Sequence, residues 1–127
     1  MAAPEELKFL KSHEWVRVEG STAYVGISDH AQEELGDIVF VELPDEGDEF
    51  EKGEEVTNIE SVKAASPIYT PVSGKIVKVN EELDESPELI NQKPYETFIF
   101  AVEMSDSSEL GDLLSYEQYQ ESIEEEG

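Results

Sequence analysis

The sequence contains no cysteine, and this absence removes several kinds of structure and chemistry. Without thiols the chain cannot form a disulfide framework, a thiolate metal site or a cysteine nucleophile. Any thiol chemistry in which the protein takes part must therefore come from an attached group.

Basic residues are scarce, with 8 lysines and arginines against 32 acidic residues and a formal net charge of −24. Such a charge repels nucleic-acid phosphates and the anionic surface of a membrane, so binding to either is not expected. The same charge favours solubility and guides encounters with larger proteins that carry basic patches.

Long apolar runs are also missing, since no stretch of 18 apolar residues occurs. The first six residues, MAAPEE, have neither the basic and apolar regions of a secretory signal nor the arginine-rich composition of a transit peptide. We expect a soluble, cytoplasmic protein that does not span a membrane.

The length of 127 residues fits a single domain. We expect one domain over residues 1–127, with a core at about 12–105 and a C-terminal helical extension at about 108–124. The strong like charge disfavours close self-association, so a monomer is expected.

Short alternating apolar segments separated by turn residues predict a mostly β chain. Ile38 to Val41 form a continuous apolar run, which predicts a strand covered on both faces. Helices are predicted after a cap at Ser28 or Asp29, after Ser86 and near the C-terminus after Ser115. Strands are predicted at 14–18, 22–27, 38–41, 56–62, 67–70, 75–79 and 98–104.

Lys63 is the strongest local signal for chemistry. It lies among small residues between two predicted strands, with Glu60 three positions before it and Gly74 eleven after it. A modifying enzyme needs an amine that protrudes from a rigid support, and a hairpin tip flanked by small residues provides one. Lys63 is therefore interpreted as an acceptor for a covalently attached group.

Five collinear segments resemble the glycine cleavage system H proteins, and the resemblance runs from about residue 7 to residue 122. Five segments in the family's order are far more specific than any one of them. The segments are residues 12–16 (SHEWV), 25–32 (VGISDHAQ), 36–44 (GDIVFVELP), 60–64 (ESVKA) and 71–74 (PVSG).

The resemblance implies a lipoyl-domain fold, the barrel-sandwich hybrid of two antiparallel sheets, with short helices and a C-terminal helix added. It places Lys63 at the lysine that carries lipoate covalently as lipoyllysine. It also places Glu60 and Gly74 at flanking positions that help lipoate-attaching enzymes to select this lysine.

The resemblance further implies a carrier that catalyses no step itself. In the family, a pyridoxal-phosphate glycine decarboxylase loads an aminomethyl group onto the arm and a tetrahydrofolate-dependent aminomethyltransferase removes it. A dihydrolipoyl dehydrogenase containing FAD then reoxidises the arm. An alternative is an H-like carrier that relays lipoyl groups to other lipoyl domains, and the retained Glu60, Lys63 and Gly74 suit both functions.

Ser12 and Glu14 are candidate contacts of the loaded arm, whose methylamine cation would need carboxylate and hydroxyl acceptors. Two features depart from the family's pattern. Residues 96–98 (ETF) stand where a Gly-x-Gly-Trp stretch usually follows Tyr95, and Pro67 replaces an acidic residue common after the lysine segment. The first departure bears on docking to a partner enzyme, and the second removes a possible contact to the methylamine.

Other function classes fit the sequence less well. A biotin carrier typically has its lysine between methionines, whereas Val62 and Ala64 flank Lys63. The acidic turn at residues 45–49 lacks the ligand spacing of an EF-hand. His13 and His30 stand in no pattern that suggests a catalytic triad or a zinc site, so neither a metal site nor an enzyme is predicted.

Overall fold

The computed structural model describes residues 4–126, which form two antiparallel sheets with short helices around them. The larger sheet has six strands in the order β1-β2-β3-β9-β8-β5. The predicted hairpin forms its second and third strands, where Glu14 pairs with Ile27. The strands of this sheet are Lys8–Phe9 (β1), Glu14–Glu19 (β2), Thr22–Ile27 (β3), Glu49–Phe50 (β5), Gly74–Val79 (β8) and Phe100–Met104 (β9).

The smaller sheet has three strands in the order β4-β6-β7, so that β4 and β7 form its edges. Its central strand pairs with both neighbours, and the turn between β6 and β7 contains Lys63. The strands are Ile38–Val41 (β4), Glu55–Ser61 (β6) and Ala65–Tyr69 (β7).

Local capping sets the limits of the first helix. The Ser28 hydroxyl accepts a hydrogen bond from the backbone N–H of Ala31, and Gly36 ends the helix with a φ of 79°. Ser115 and Gln118 exchange hydrogen bonds at the start of the last helix, as the sequence predicted. The α-helices are Asp29–Leu35 (α1), Glu82–Glu85 (α2), Leu89–Gln92 (α3) and Tyr116–Glu126 (α4), and Pro4–Glu6 and Ser107–Asp112 are 3₁₀ helices.

The apolar core lies between the sheets, because buried side chains from both contribute to one cluster that includes Val25, Ile59 and Ile76. A second cluster joins Phe9 and Trp15 to Tyr119 of α4, whose ring stacks on Phe9 at 4.5 Å between centroids. The predicted mostly β fold of two antiparallel sheets is confirmed. Within residues 4–126, no helix is long and apolar enough to cross a membrane.

The prediction that residues 38–41 are covered on both faces is wrong. Val39 and Phe40 are 54% and 51% exposed, whereas Ile38 and Val41 are buried. The register of β4 against β6 shifts between Ile38 and Phe40, which is a β-bulge. A bulge places an additional residue in one strand, and here two consecutive apolar side chains face solvent.

The predicted cap at Ser86 is also wrong. Ser86 ends α2, since its N–H donates to Glu82 O, and the residue at the N-cap of α3 is Glu88. Ser86 O accepts from Leu89 N–H in the turn between the two helices. Proline at position 87 still precedes a helical turn, since α3 begins two residues later at Leu89.

Candidate functional site: the lysine hairpin and the cleft beside it

Lys63 lies at the tip of a tight hairpin that the Ser61 side chain organises. The Ser61 hydroxyl oxygen accepts from the backbone N–H groups of Lys63 and Ala64, both at 3.1 Å. The Ser61 N–H donates to Ala64 O at 2.8 Å, closing the turn. Val62, Lys63 and Ala64 are all exposed, so a rigid backbone presents the lysine to solvent as predicted.

The hairpin rests against the C-terminal end of α1. The Val62 N–H donates to Asp37 O at 3.0 Å, and Lys63 Nζ lies 3.5 Å from Glu34 O in the last turn of the helix. Carbonyl groups at a helix end lack intrahelical partners and attract cations. The lysine side chain is thus exposed, and its amine lies next to Glu34, a residue that also lines a neighbouring cleft.

The cleft has a volume of about 130 Å³ and lies between the loop before β2, helix α1 and strand β7. Its wall is apolar at Ile27, Ala31 and Ile68 and polar at Ser12, Glu34 and Ser66. An apolar chain ending in a polar or cationic group would match this lining.

Glu14 lies beneath Ser12, with only 1% of its surface exposed. The Ser12 hydroxyl donates to Glu14 Oε1 at 2.5 Å, and the Tyr69 N–H donates to Oε2 at 2.8 Å. Burial raises the pKa of the Glu14 carboxyl from 4.5 to about 7, although both hydrogen bonds oppose the shift. Of the two predicted arm contacts, Ser12 lines the cleft and Glu14 supports it from behind.

Two histidines meet beside the cleft, which the sequence did not indicate. His13 and His30 have ring centroids 5.0 Å apart, and Glu34, one helical turn after His30, contacts the His30 ring through its carboxylate. Ligand atoms of all three lie within 4.8 Å of one another. His13 Nδ1 is 2.7 Å from the Tyr119 hydroxyl, which is itself 2.5 Å from Ser28 Oγ, so α4 supports this wall of the cleft.

Glu60 and Gly74 occupy different sheets. Glu60 is exposed on β6, three residues before the lysine and between Phe40 and Ala65 of the neighbouring strands. Gly74 begins β8, where a Cβ atom would lie 2.0 Å from Glu103 O. Close packing of β8 on β9 thus explains a glycine at position 74 independently of any enzyme.

Comparison with known proteins agrees with this geometry. A family model described as glycine cleavage H-protein matches residues 7–126. The chain belongs to the glycine cleavage H-protein family. It is a lipoyl carrier of the glycine cleavage system, so of the two functions raised by the sequence, family membership supports the first.

Individual relatives match almost the whole chain. A glycine cleavage system H protein of Staphylococcus haemolyticus (strain JCSC1435) is 56% identical over 98% of this chain and 100% of its own. One from Staphylococcus carnosus (strain TM300) is 55% identical with the same coverage. The crystal structure of a glycine cleavage system H protein from Mycobacterium marinum has a TM-score of 0.86 and 32% identity, covering 96% of this chain and 99% of that one. The predicted barrel-sandwich fold is therefore confirmed.

Sequence reasoning missed Glu34 and His13 as residues of this site. The four-residue spacing of His30 and Glu34 on α1 was the one available signal, since it predicts that both lie on one helix face. The approach of His13 to that face depends on how the loop before β2 packs, and no local pattern encodes it.

Proposed function

We propose that Lys63 carries lipoate through an amide bond and that this arm is the working group of the protein. The observation that carries the proposal is the position of Lys63 at an exposed, hydrogen-bonded hairpin tip, with its amine 3.5 Å from the backbone oxygen of Glu34, a residue that lines the cleft. The dithiolane of lipoate would supply the sulfur chemistry that a chain without cysteine lacks. Glu60 and Gly74 are proposed to help the attaching enzymes to select Lys63.

The cleft would hold the loaded arm between visits to partner enzymes. The Ser12 hydroxyl already donates its proton to Glu14. Its oxygen lone pairs would therefore be available to accept a hydrogen bond from a methylamine cation next to it. The cation would also favour the charged form of Glu14 and so lower its pKa. Ser12 is thus the proposed direct contact, and Glu14 the group that orients and polarises it.

The protein would catalyse no step itself. Its proposed partners are the pyridoxal-phosphate decarboxylase, the tetrahydrofolate-dependent aminomethyltransferase, the FAD-containing dihydrolipoyl dehydrogenase and the lipoate-attaching enzymes. A tether that stays on one carrier keeps the reactive sulfur at high effective concentration near each partner. A monomeric state and a cytoplasmic location remain predictions.

The test is intact mass spectrometry of the protein purified from its own host, followed by peptide mapping across Lys63. The expected result is the mass of one lipoyl group on Lys63 and on no other lysine. An unmodified Lys63 in cells whose other lipoyl proteins are fully modified would refute the proposal.

A Lys63→Arg variant tests the same proposal by measuring activity. Because arginine keeps the positive charge but cannot accept the lipoyl group, this variant should fold normally and support no aminomethyl transfer. Lys75→Arg, on β8, is the matched control and should retain full transfer when the three partner enzymes and tetrahydrofolate are supplied.

A further inference from the structure

Two histidines and a glutamate form a cluster that the proposed lipoyl chemistry does not use. His13 lies in the loop before β2, whereas His30 and Glu34 lie one helical turn apart on α1. The His13 and His30 rings are 5.0 Å apart between centroids, and His30 Nε2 contacts the Glu34 carboxylate. One potential ligand atom from each residue lies within 4.8 Å of the other two. Two elements from different parts of the sequence thus bring three metal-ligating side chains to one point.

The backbone at His13 adopts an uncommon conformation that holds its ring beside α1. Its φ is 85°, and within residues 4–126 no other residue except glycine has a positive φ. Few residues with a Cβ adopt this conformation, and histidine is one of those that adopt it more often. The His13 N–H donates to Leu10 O at 3.0 Å, and His13 O accepts from the Ser28 N–H at 2.9 Å. The second of these bonds ties the loop to the residue that caps α1.

Side-chain hydrogen bonds orient the His13 ring from the other side. His13 Nδ1 lies 2.7 Å from the Tyr119 hydroxyl, which lies 2.5 Å from Ser28 Oγ. Both Tyr119 and Ser28 are buried. A metal-binding histidine typically bonds the ion through one ring nitrogen and a protein group through the other, which fixes the tautomer and the ring orientation. The contact with Tyr119 therefore identifies Nε2 as the His13 atom that would face an ion.

We propose that His13, His30 and Glu34 bind one divalent transition-metal ion of the Zn²⁺ type. Two imidazole nitrogens and one carboxylate oxygen suit Zn²⁺, whereas Mg²⁺ and Ca²⁺ prefer sites of six or more oxygen ligands. Three protein ligands leave a fourth tetrahedral position for water or another donor. The net charge of −24 raises the local concentration of any cation around the chain.

Small side-chain rotations close this site around an ion. With bonds of about 2.1 Å, the ligand atoms of a tetrahedral zinc ion lie roughly 3.4 Å apart. The three candidate atoms already lie within 4.8 Å of one another, and the side chains that carry them are half-buried at His13 and His30 and exposed at Glu34. A hydrogen bond between His30 and Glu34 gives way to the ion, and metal binding releases the proton to solvent.

Metal binding at this cluster would link two parts of the fold. An ion held by both the loop before β2 and α1 binds the folded chain and not the unfolded one, so it stabilises the fold. His13 and Glu34 also line the cleft, so the ion would lie in the cleft wall. The inference goes beyond the proposed function, since it requires no group on Lys63.

The test is isothermal titration of the full-length chain, without an affinity tag and without a lipoyl group, with Zn²⁺. The expected result is one ion per chain, an affinity that excess Mg²⁺ does not change and a higher Tm in the presence of Zn²⁺. The chain has two histidines, so nitrogen-15 NMR can follow both rings in the wild-type protein. Zn²⁺ should shift the ring signals of His13 and of His30, which identifies the ligands without any substitution.

Substitutions test each ligand separately. His13→Asn removes one imidazole, and asparagine tolerates a positive φ. His30→Gln and Glu34→Gln remove the other two ligands. Loss of an outer partner of a metal site typically costs 10–100-fold in affinity, so loss of a direct ligand should weaken Zn²⁺ binding at least about tenfold. Glu33→Gln is the matched control, because it removes the same charge from an adjacent exposed position of α1 and should stay within about twofold of wild type.

Three results would overturn the metal assignment. The first is a wild-type chain that binds no Zn²⁺ or loses it to excess Mg²⁺. The second is Zn²⁺ binding that leaves both histidine ring signals unshifted. The third is an equal loss of affinity in Glu34→Gln and Glu33→Gln, which would show that Zn²⁺ associates with the acidic surface in general. None of these results bears on whether Lys63 carries lipoate.

Discussion

The Ser12 hydroxyl and the buried Glu14 carboxyl share a 2.5 Å hydrogen bond at the wall of the cleft beside Lys63. The side chain that lines the cleft is neutral, and the charge behind it titrates with a pKa of about 7. The carboxyl that polarises the Ser12 hydroxyl can therefore change its charge near neutral pH.

A first prediction concerns the pH dependence of stability. An unfolded glutamate titrates near 4.5, whereas Glu14 in the fold titrates near 7. Below pH 4.5 both states are protonated, and above pH 7 the fold holds a carboxylate that burial disfavours, at a cost of about 3 kcal/mol. Relative to Glu14→Gln, the wild-type free energy of unfolding should thus fall by about 3 kcal/mol between pH 4 and pH 8.

Urea unfolding of both proteins across this pH range measures the difference. Glutamine can accept from the Tyr69 N–H and donate to Ser12 Oγ, so the variant keeps both contacts. Glu96→Gln, at an exposed position, controls for the loss of one negative charge. A wild-type protein that gains stability over Glu14→Gln as pH rises would contradict the prediction.

A second prediction concerns Ser12. Because its hydrogen bond lowers the pKa of Glu14, Ser12→Ala should raise that pKa above about 7. The aminomethyl-loaded carrier should also lose its group to hydrolysis faster than wild type. Carbon-13 NMR titration of the Glu14 carboxyl measures the first effect, and the decay of the loaded mass measures the second. Ser12→Thr keeps the hydroxyl and should behave as wild type, and an unshifted titration in Ser12→Ala would count against the role of this bond.

A third prediction separates folding from enzyme recognition at Gly74. A Cβ at this position would meet Glu103 O at 2.0 Å, so Gly74→Ala must displace β8 from β9 and should cost about 1–3 kcal/mol or more. Gly111→Ala is the control, since nothing lies within 4 Å of its added carbon. Thermal unfolding should show a Tm below that of wild type for Gly74→Ala and an unchanged Tm for Gly111→Ala. A Gly74→Ala protein with wild-type Tm but slow lipoylation would instead indicate direct recognition.

A fourth prediction concerns the contact between α4 and the cleft. Tyr119→Phe keeps the ring stacked on Phe9 but removes the hydroxyl that hydrogen-bonds to the buried Ser28 and to His13, and each hydrogen bond lost should cost about 0.5–1.5 kcal/mol. Tyr116→Phe, on the same helix, loses an exposed hydrogen bond to Gln120 and should cost less. Chemical denaturation measures the free energy of unfolding of both variants. Equal decreases in this free energy would show that the buried hydroxyl contributes no more than the exposed one.

The sequence predicted those features that depend on neighbouring residues. Ser28 and Gly36 limit α1 through local capping, and the position of Lys63 between two strand patterns predicted its display. Exposure of Val39 and Phe40 was not predicted, because the bulge arises from pairing with β6 about twenty residues later. The cleft brings Ser12, Glu34 and Ser66 together through tertiary packing that no local pattern specifies.

The bulged edge strand β4 also affects how the protein stays dispersed. An edge strand with two exposed apolar side chains invites pairing with a second copy, which is a route to aggregation. Each copy carries a net charge of −24, so two approaching copies repel one another over roughly a Debye length, about 8 Å at physiological salt. The acidic surface thus gives the chain colloidal protection against association through the two exposed apolar side chains of β4.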